Sequence, residues 1–134
     1  MSDLENPADQ VLTEIKDGIG RITLNRPQLL NSISIESLDL LIQALEQLLN
    51  SPEVRVVVLT GNGRAFCAGA DQGEMVERRP GEWEEIVERY LDPIRLIARS
   101  DKPVIASING DAVGGGLGLA IASDLRIAVN TARF

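Results

Sequence analysis

The sequence predicts an α/β fold, and three observations carry that reading. Two alternating segments meet at Asp17-Gly18, two later runs are almost uninterrupted in β-branched and apolar residues, and amphipathic helical stretches separate them. Each later run leads into a glycine-rich turn. Phe66-Cys67-Ala68-Gly69-Ala70-Asp71 follows the first, and Ile108-Asn109-Gly110-Asp111-Ala112-Val113-Gly114-Gly115-Gly116-Leu117-Gly118 belongs to the second.

Taken in order, Val11–Lys16 and Ile19–Leu24 read as paired strands, because Asp17-Gly18 is a tight-hairpin signal. Asn25-Arg26-Pro27 ends the second strand. Ser34 is placed to cap a helix whose apolar positions Leu38, Leu41, Ile42, Leu45, Leu48 and Leu49 recur at helical spacing, and Pro52 forbids continuation much past Asn50. Val54–Thr60 reads as a central strand covered on both faces. Glu74–Arg79 and Trp83–Arg99 are helical in pattern and highly charged, with Pro80-Gly81 between them and Pro93 expected to kink or restart the second. This stretch has the character of a mobile lid. Val104–Ile108 is a second buried strand, Gly115–Ser123 a small-residue helix and Leu125–Val129 a last strand, giving the order ββαβ(αα)βαβ. Asn130–Phe134 follows with no helix or polar tail, so a fragment is expected.

Composition narrows the function. A chain of 134 residues suits one domain, and 44% hydrophobic content supplies a core. A net charge of −7 repels phosphate backbones and anionic lipid surfaces, so neither nucleic acid nor membrane is an expected partner. No apolar run approaches the roughly 20 residues of a membrane span, and Met1–Glu5 lacks a basic start and an apolar core, so a cytoplasmic location is expected. Cys67 is the one cysteine, and histidine is absent. Nucleophile pairs and metal sites that need an imidazole are therefore excluded.

The glycine turns are the informative feature. Ala70 ends the first loop and Gly115 opens a helix, so each presents a backbone N–H beside a residue without a crowding side chain. Two such donors aimed at one carbonyl oxygen form an oxyanion hole, and the positive helix end adds to the attraction. Close helix-to-strand packing is the other reading of the same glycines. Among single residues, Cys67 reads as a buried thiol, Asp71 as a helix cap, Asp111 as a turn residue and Asp124 as structural. Glu74, Glu77, Glu84, Glu85 and Glu88 read as a solvated face, with Trp83 and Tyr90 as packing anchors. Thr60-Gly61-Asn62-Gly63 opens like a dinucleotide fingerprint, but Phe66 stands where the third glycine belongs.

Motif content adds a resemblance. Ile22-Thr23-Leu24-Asn25-Arg26-Pro27 with Asn31, Val56-Val57-Val58-Leu59-Thr60-Gly61, Ala65–Asp71, Lys102–Ala106, Asn109-Gly110 with Gly114-Gly115-Gly116, and Ala122-Ser123-Asp124 follow one another as in the crotonase, or enoyl-CoA hydratase/isomerase, superfamily. The chain resembles that family over nearly its whole length. The resemblance implies a crotonase-like repeated ββα spiral, truncated before its C-terminal helical part, with residues 1–134 as an incomplete core domain. It implies an acyl-CoA thioester as partner, its carbonyl oxygen held between the amides of Ala70 and Gly115 while an enolate forms. It further implies substrate-binding positions at Arg26, Leu30, Ala68, Asp71, Gln72 and Gly114. No metal or separate cofactor is implied beyond the coenzyme A of the substrate, and the assembly implied is a homotrimer or hexamer.

Two departures qualify the activity. In the two-glutamate hydratases of this family a catalytic Glu lies two positions after the third glycine, where this chain has Gly118. The second family acid falls after the position of Phe134, and family members are as a rule about twice this long. Gly-Gly-Gly-Leu-Gly followed by Ala-Ser-Asp is similar to the halobenzoyl-CoA dehalogenase branch and to isomerases with a single later carboxylate. The resemblance therefore implies a hydratase or isomerase, with a dehalogenase or hydrolase type, or a catalytically silent CoA-thioester-binding protein, as alternatives.

Overall fold

A computed structural model describes residues 6–134, so the Met1–Glu5 reading lies outside the described residues. The strands β1 (Val11–Lys16) and β2 (Ile19–Leu24) pair antiparallel, and Asp17 and Gly18 both turn with positive φ, 52° and 81°. That geometry matches the right-handed twist of the flanking strands. Helix α1 (Ile35–Asn50) begins at Ser34, whose side chain accepts from the Ser37 N–H while the Ser37 hydroxyl accepts from the Ser34 N–H. Its end is held by Lys102, whose ammonium donates to the carbonyl oxygens of Ser51 and Leu48, cationic where the helix dipole is negative.

Next come β3 (Val56–Gly61), β4 (Ala65–Cys67), α2 (Gln72–Val76), α3 (Trp83–Ala98), β5 (Val104–Ile108), β6 (Asp111–Ala112), α4 (Gly115–Ala122) and β7 (Leu125–Ala128). A five-stranded sheet runs β1-β2-β3-β5-β7, parallel from β2 onward, and β4 pairs with β6 in a separate two-stranded sheet. Pro93 lies inside α3 without breaking it, where the sequence predicts a kink or restart. The small sheet is not predicted at all, because its strands are too short to show a period and lie within the glycine-rich stretches.

The core lies on one face of the larger sheet. Leu38, Leu41, Leu45 and Leu48 of α1 meet Ile22, Leu24, Val57, Leu59, Ala106 and Ile108, all buried, and Ile97 and Leu119 extend the cluster from α3 and α4. The other face differs from the expectation that the central strands are covered on both sides. Register places Val58, Ile105 and Leu125 in one row and Thr60, Ser107 and Ile127 in the next. These residues are half-buried in β3 and β5 and exposed in β7. A nearly continuous apolar run therefore faces helices on one side only among the described residues. No helix among them is long and apolar enough to cross a membrane.

Two side-chain amides, Asn31 buried and Asn109 half-buried, fix the turn between β3 and β4. Asn31 Nδ2 donates to the carbonyl oxygens of Ala65 at 2.8 Å and Asn62 at 2.9 Å, and Asn31 Oδ1 accepts from the Arg26 N–H at 2.8 Å. Asn109 approaches from the end of β5, donating to Ala65 O at 3.0 Å and Gly63 O at 2.9 Å and accepting from the Gly61 N–H at 3.0 Å. Replacing Asn31 by Ala removes three hydrogen bonds at a buried site and is expected to cost roughly 2–4 kcal/mol. Urea unfolding checks this: the midpoint should fall with little change in slope. An unshifted midpoint would show that the turn holds without Asn31.

Candidate active site

The parallel pairing of β4 with β6 brings the two glycine turns together. Ala65 lies opposite Asp111 and Cys67 opposite Ala112, and the Val113 N–H donates to the Cys67 carbonyl oxygen at 3.0 Å. The turns then touch. Gly69 has φ +92°, and a Cβ there would stand 2.9 Å from Val113 O and 3.2 Å from Gly115 N; a Cβ on Gly116 would stand 2.2 Å from Cys67 O. Close packing thus demands glycine at both positions. Gly115 is different, because a Cβ there would meet nothing nearer than the Gly69 Cα, at 3.8 Å. Its missing side chain opens space instead of relieving a clash.

The backbone directs the amides. Ile33 donates to Gly69 O at 2.7 Å and accepts from the Asp71 N–H at 2.9 Å, so the bridge uses the groups flanking Ala70 and leaves the Ala70 N–H facing away. Gly115 is the first residue of α4 and has no intrahelical acceptor. Among the described residues neither N–H has a hydrogen-bond partner. Both residues line one cleft of about 370 Å³, with Gln72 and Met75 on one wall and Trp83, Ile86, Val87 and Tyr90 of α3 on the other. A larger groove of about 570 Å³, between α1 and the end of α3, includes neither glycine turn.

Among the described residues Tyr90 is the one titratable side chain lining this cleft. Its hydroxyl donates to the Ile33 carbonyl oxygen at 2.5 Å, and burial, helped by the negative charges of Glu74 and Asp71, pushes the phenol up to about 12. It stays neutral near pH 7. Glu74 is not the freely solvated acid its charged neighbourhood predicts: its carboxylate accepts from the Ile35 N–H at 2.8 Å, at the positive end of α1. Among the described residues no cluster of acidic or thiol side chains is placed to hold a metal ion.

The residues singled out from sequence separate into two groups. Ala70, Gln72 and Gly115 line the cleft, whereas Arg26, Leu30, Ala68, Asp71 and Gly114 do not. Asp71 Oδ1 accepts from the Gly73 and Glu74 N–H groups to cap α2, and Oδ2 pairs with the Arg26 guanidinium at 3.1 Å. Arg26 also donates to Ser32 O at 2.7 Å. Leu30 has φ 53° and accepts from the Ala68 N–H at 3.0 Å; Gly114, at φ 56°, caps α4. These contacts shape the loop that carries Ala70. Sequence reasoning did not pick out Met75, Ile86 and Val87, although Trp83, Ile86, Val87 and Tyr90 recur at i, i+3, i+4 and i+7 on one helical face.

The family model for enoyl-CoA hydratase/isomerase matches residues 14–134. The chain belongs to the enoyl-CoA hydratase/isomerase family. It is 41% identical over 128 residues to the (E)-benzylidenesuccinyl-CoA hydratase of Thauera aromatica, covering 92% of this chain and 48% of that protein. To the 1,2-epoxyphenylacetyl-CoA isomerase of Escherichia coli (strain K12) it is 38% identical over 128 residues, covering 92% and 49%. Among solved structures, the enoyl-CoA hydratase from Bacillus anthracis superposes with a TM-score of 0.87 at 36% identity, covering 92% of this chain and 48% of the other. The chain spans about half the length of the curated relatives it matches.

Within this family member, the position two residues past the third glycine faces α3. A Cβ on Gly118 would lie 2.9 Å from Ile94 Cδ1, the flexible tip of a side chain. Cys67 lies beneath the first turn, fully buried, its sulfur accepting from the Gly69 N–H at 3.4 Å, and burial pushes the thiol up to about 11. Because that folded value exceeds the unfolded 9.0, its stabilising contribution is full below about pH 9 and fades as pH rises toward 11. A thiol reagent at pH 8 should leave Cys67 unmodified in the folded chain and react rapidly once denaturant is added. Fast labelling without denaturant would contradict the buried placement.

Proposed function

We propose that Ala70 and Gly115 form an oxyanion hole for the carbonyl oxygen of an acyl-CoA thioester, in a hydratase- or isomerase-type enzyme whose core domain includes residues 1–134. The observation that carries this reading is the pair of N–H groups without partners beside one apolar cleft. An anion forms on the thioester oxygen when a proton leaves the alpha carbon, and each positioned donor is worth roughly 3–4 kcal/mol to it. The open space at Gly115 and the helix end behind it favour the same occupant.

Arg26 and Asp71 support the hole by positioning the Ala68–Gln72 loop, along which the coenzyme A arm runs past Leu30, Ala68, Gln72 and Gly114. Coenzyme A enters as part of the substrate, with no separate cofactor. Membership of the family and a net charge of −7 support a cytoplasmic enzyme of acyl-CoA or fatty-acid metabolism, assembled as trimers or paired trimers, without nucleic-acid or membrane partners.

Among the described residues the lining of this cleft holds no carboxylate to transfer the proton. That same observation favours a second reading, a protein that binds CoA thioesters without turning them over. Dehalogenase- or hydrolase-type chemistry is the further alternative left by Gly118. Single-turnover assays of the full-length protein with 2-enoyl-CoA and 3-enoyl-CoA separate these readings. Conversion of either supports the enzyme, whereas tight binding of both with no conversion supports the silent binder. Gly115→Pro removes one donor at a helix position that tolerates proline, so activity should fall by roughly 100-fold or more in a folded variant. An unchanged rate would show that the Gly115 N–H plays no part.

A further inference from the structure

We propose that the cleft beside Ala70 and Gly115 selects an uncharged, aryl-bearing acyl group. The inference rests on the thioester reading and deepens it. Its walls are largely apolar: Trp83, Ile86, Val87 and Tyr90 form one continuous face of α3, opposed by Met75 and Gln72 of α2. The Tyr90 ring is anchored by its hydroxyl bond to Ile33 O, at 2.5 Å, so its position is set before any ligand arrives. Trp83 and Val87 are 40% and 53% exposed, leaving apolar surface that a ligand would cover.

Size and charge restrict the occupant. A cavity of about 150 Å³ holds benzene, so about 370 Å³ accommodates an aryl ring and the carbons that link it to the thioester. Among the described residues no lysine, arginine or carboxylate lines the cleft, so an acyl chain ending in a charge meets no counter-ion from them. Aromatic and thioether walls prefer a flat ring to a flexible chain, by offset stacking, edge-to-face contact and sulfur contact. A straight acyl chain also loses more rotamer freedom on confinement.

The chain's single tryptophan, Trp83, reports on this cleft directly. Its fluorescence is followed in the full chain during titration with phenylacetyl-CoA, with octanoyl-CoA of equal acyl carbon count, with the dicarboxylic suberyl-CoA, and with free coenzyme A as the control for adenine absorption. Calorimetry gives the affinities independently. The expected order is phenylacetyl-CoA above octanoyl-CoA by roughly two- to tenfold, with suberyl-CoA weakest of the acyl series. Trp83→Ala, at the solvent-facing start of α3, should erase that preference by calorimetry, and Trp83→Phe should keep it. Octanoyl-CoA binding as tightly as the aryl thioester, or a preference that survives Trp83→Ala, overturns the aryl assignment while leaving the thioester reading intact. Failure of every thioester and of coenzyme A itself to bind overturns both.

Discussion

The carbonyl oxygen of Ala65 is the fixed point of this molecule. It accepts from Asn31, which arrives before α1, and from Asn109, which arrives after β5, so segments far apart in sequence meet on one atom. A buried polar group such as the Asn31 amide must be satisfied, and both it and the half-buried Asn109 amide are bonded through donor and acceptor ends together. Because Ala65 also begins β4, the same clamp sets where β4 lies against β6. The separation of the two glycine turns follows from that register.

A second layer of constraint governs direction. The bridge from Ile33 consumes Gly69 O and Asp71 N–H and so turns the amide between them outward. Arg26 and Asp71 hold the same loop from below, with side chains only 13% and 18% exposed. A pair that sheltered is screened less than one on the surface, and its value lies in fixing one loop geometry more than in net stability. Tyr90 donates to the same Ile33 carbonyl oxygen that accepts from the Asp71 N–H, so the apolar wall and the amide pair share one anchor at Ile33.

Much of this was legible in the sequence, for identifiable reasons. Asp17-Gly18, Ser34 and the leucine spacing of α1 act locally, and local chemistry decided them. The bounds of β5 were readable because Val104–Ile108 lies between Pro103 and Asn109. The β4–β6 pair was not readable, since strands of three and two residues owe their existence to the amide clamps and not to any periodic pattern. Asp71 was recognised as a cap, but its bond to Arg26 spans 45 positions and no local signal marks it. Of the cleft wall on α3 the sequence singles out only Trp83 and Tyr90, and it reads them as packing anchors, because helical spacing alone does not tell a core face from a cleft wall.

One feature at the far edge of the sheet has a physical consequence for the polypeptide in solution. Leu125 and Ile127 of β7 are 58% and 66% exposed, and the one charge within that strand, Arg126, is drawn away to the carbonyl oxygens of Ala120, Ile121 and Ser123 at the end of α4. Charged side chains on an edge strand ordinarily act as gatekeepers, repelling another chain that would extend the sheet. With Arg126 engaged as a helix cap and Asp124 bonded to the Val104 N–H, that edge lacks its guard. Among the described residues β7 is thus the strand where apolar side chains stand beside open backbone without a free charge between them, the condition under which strand addition competes with solubility.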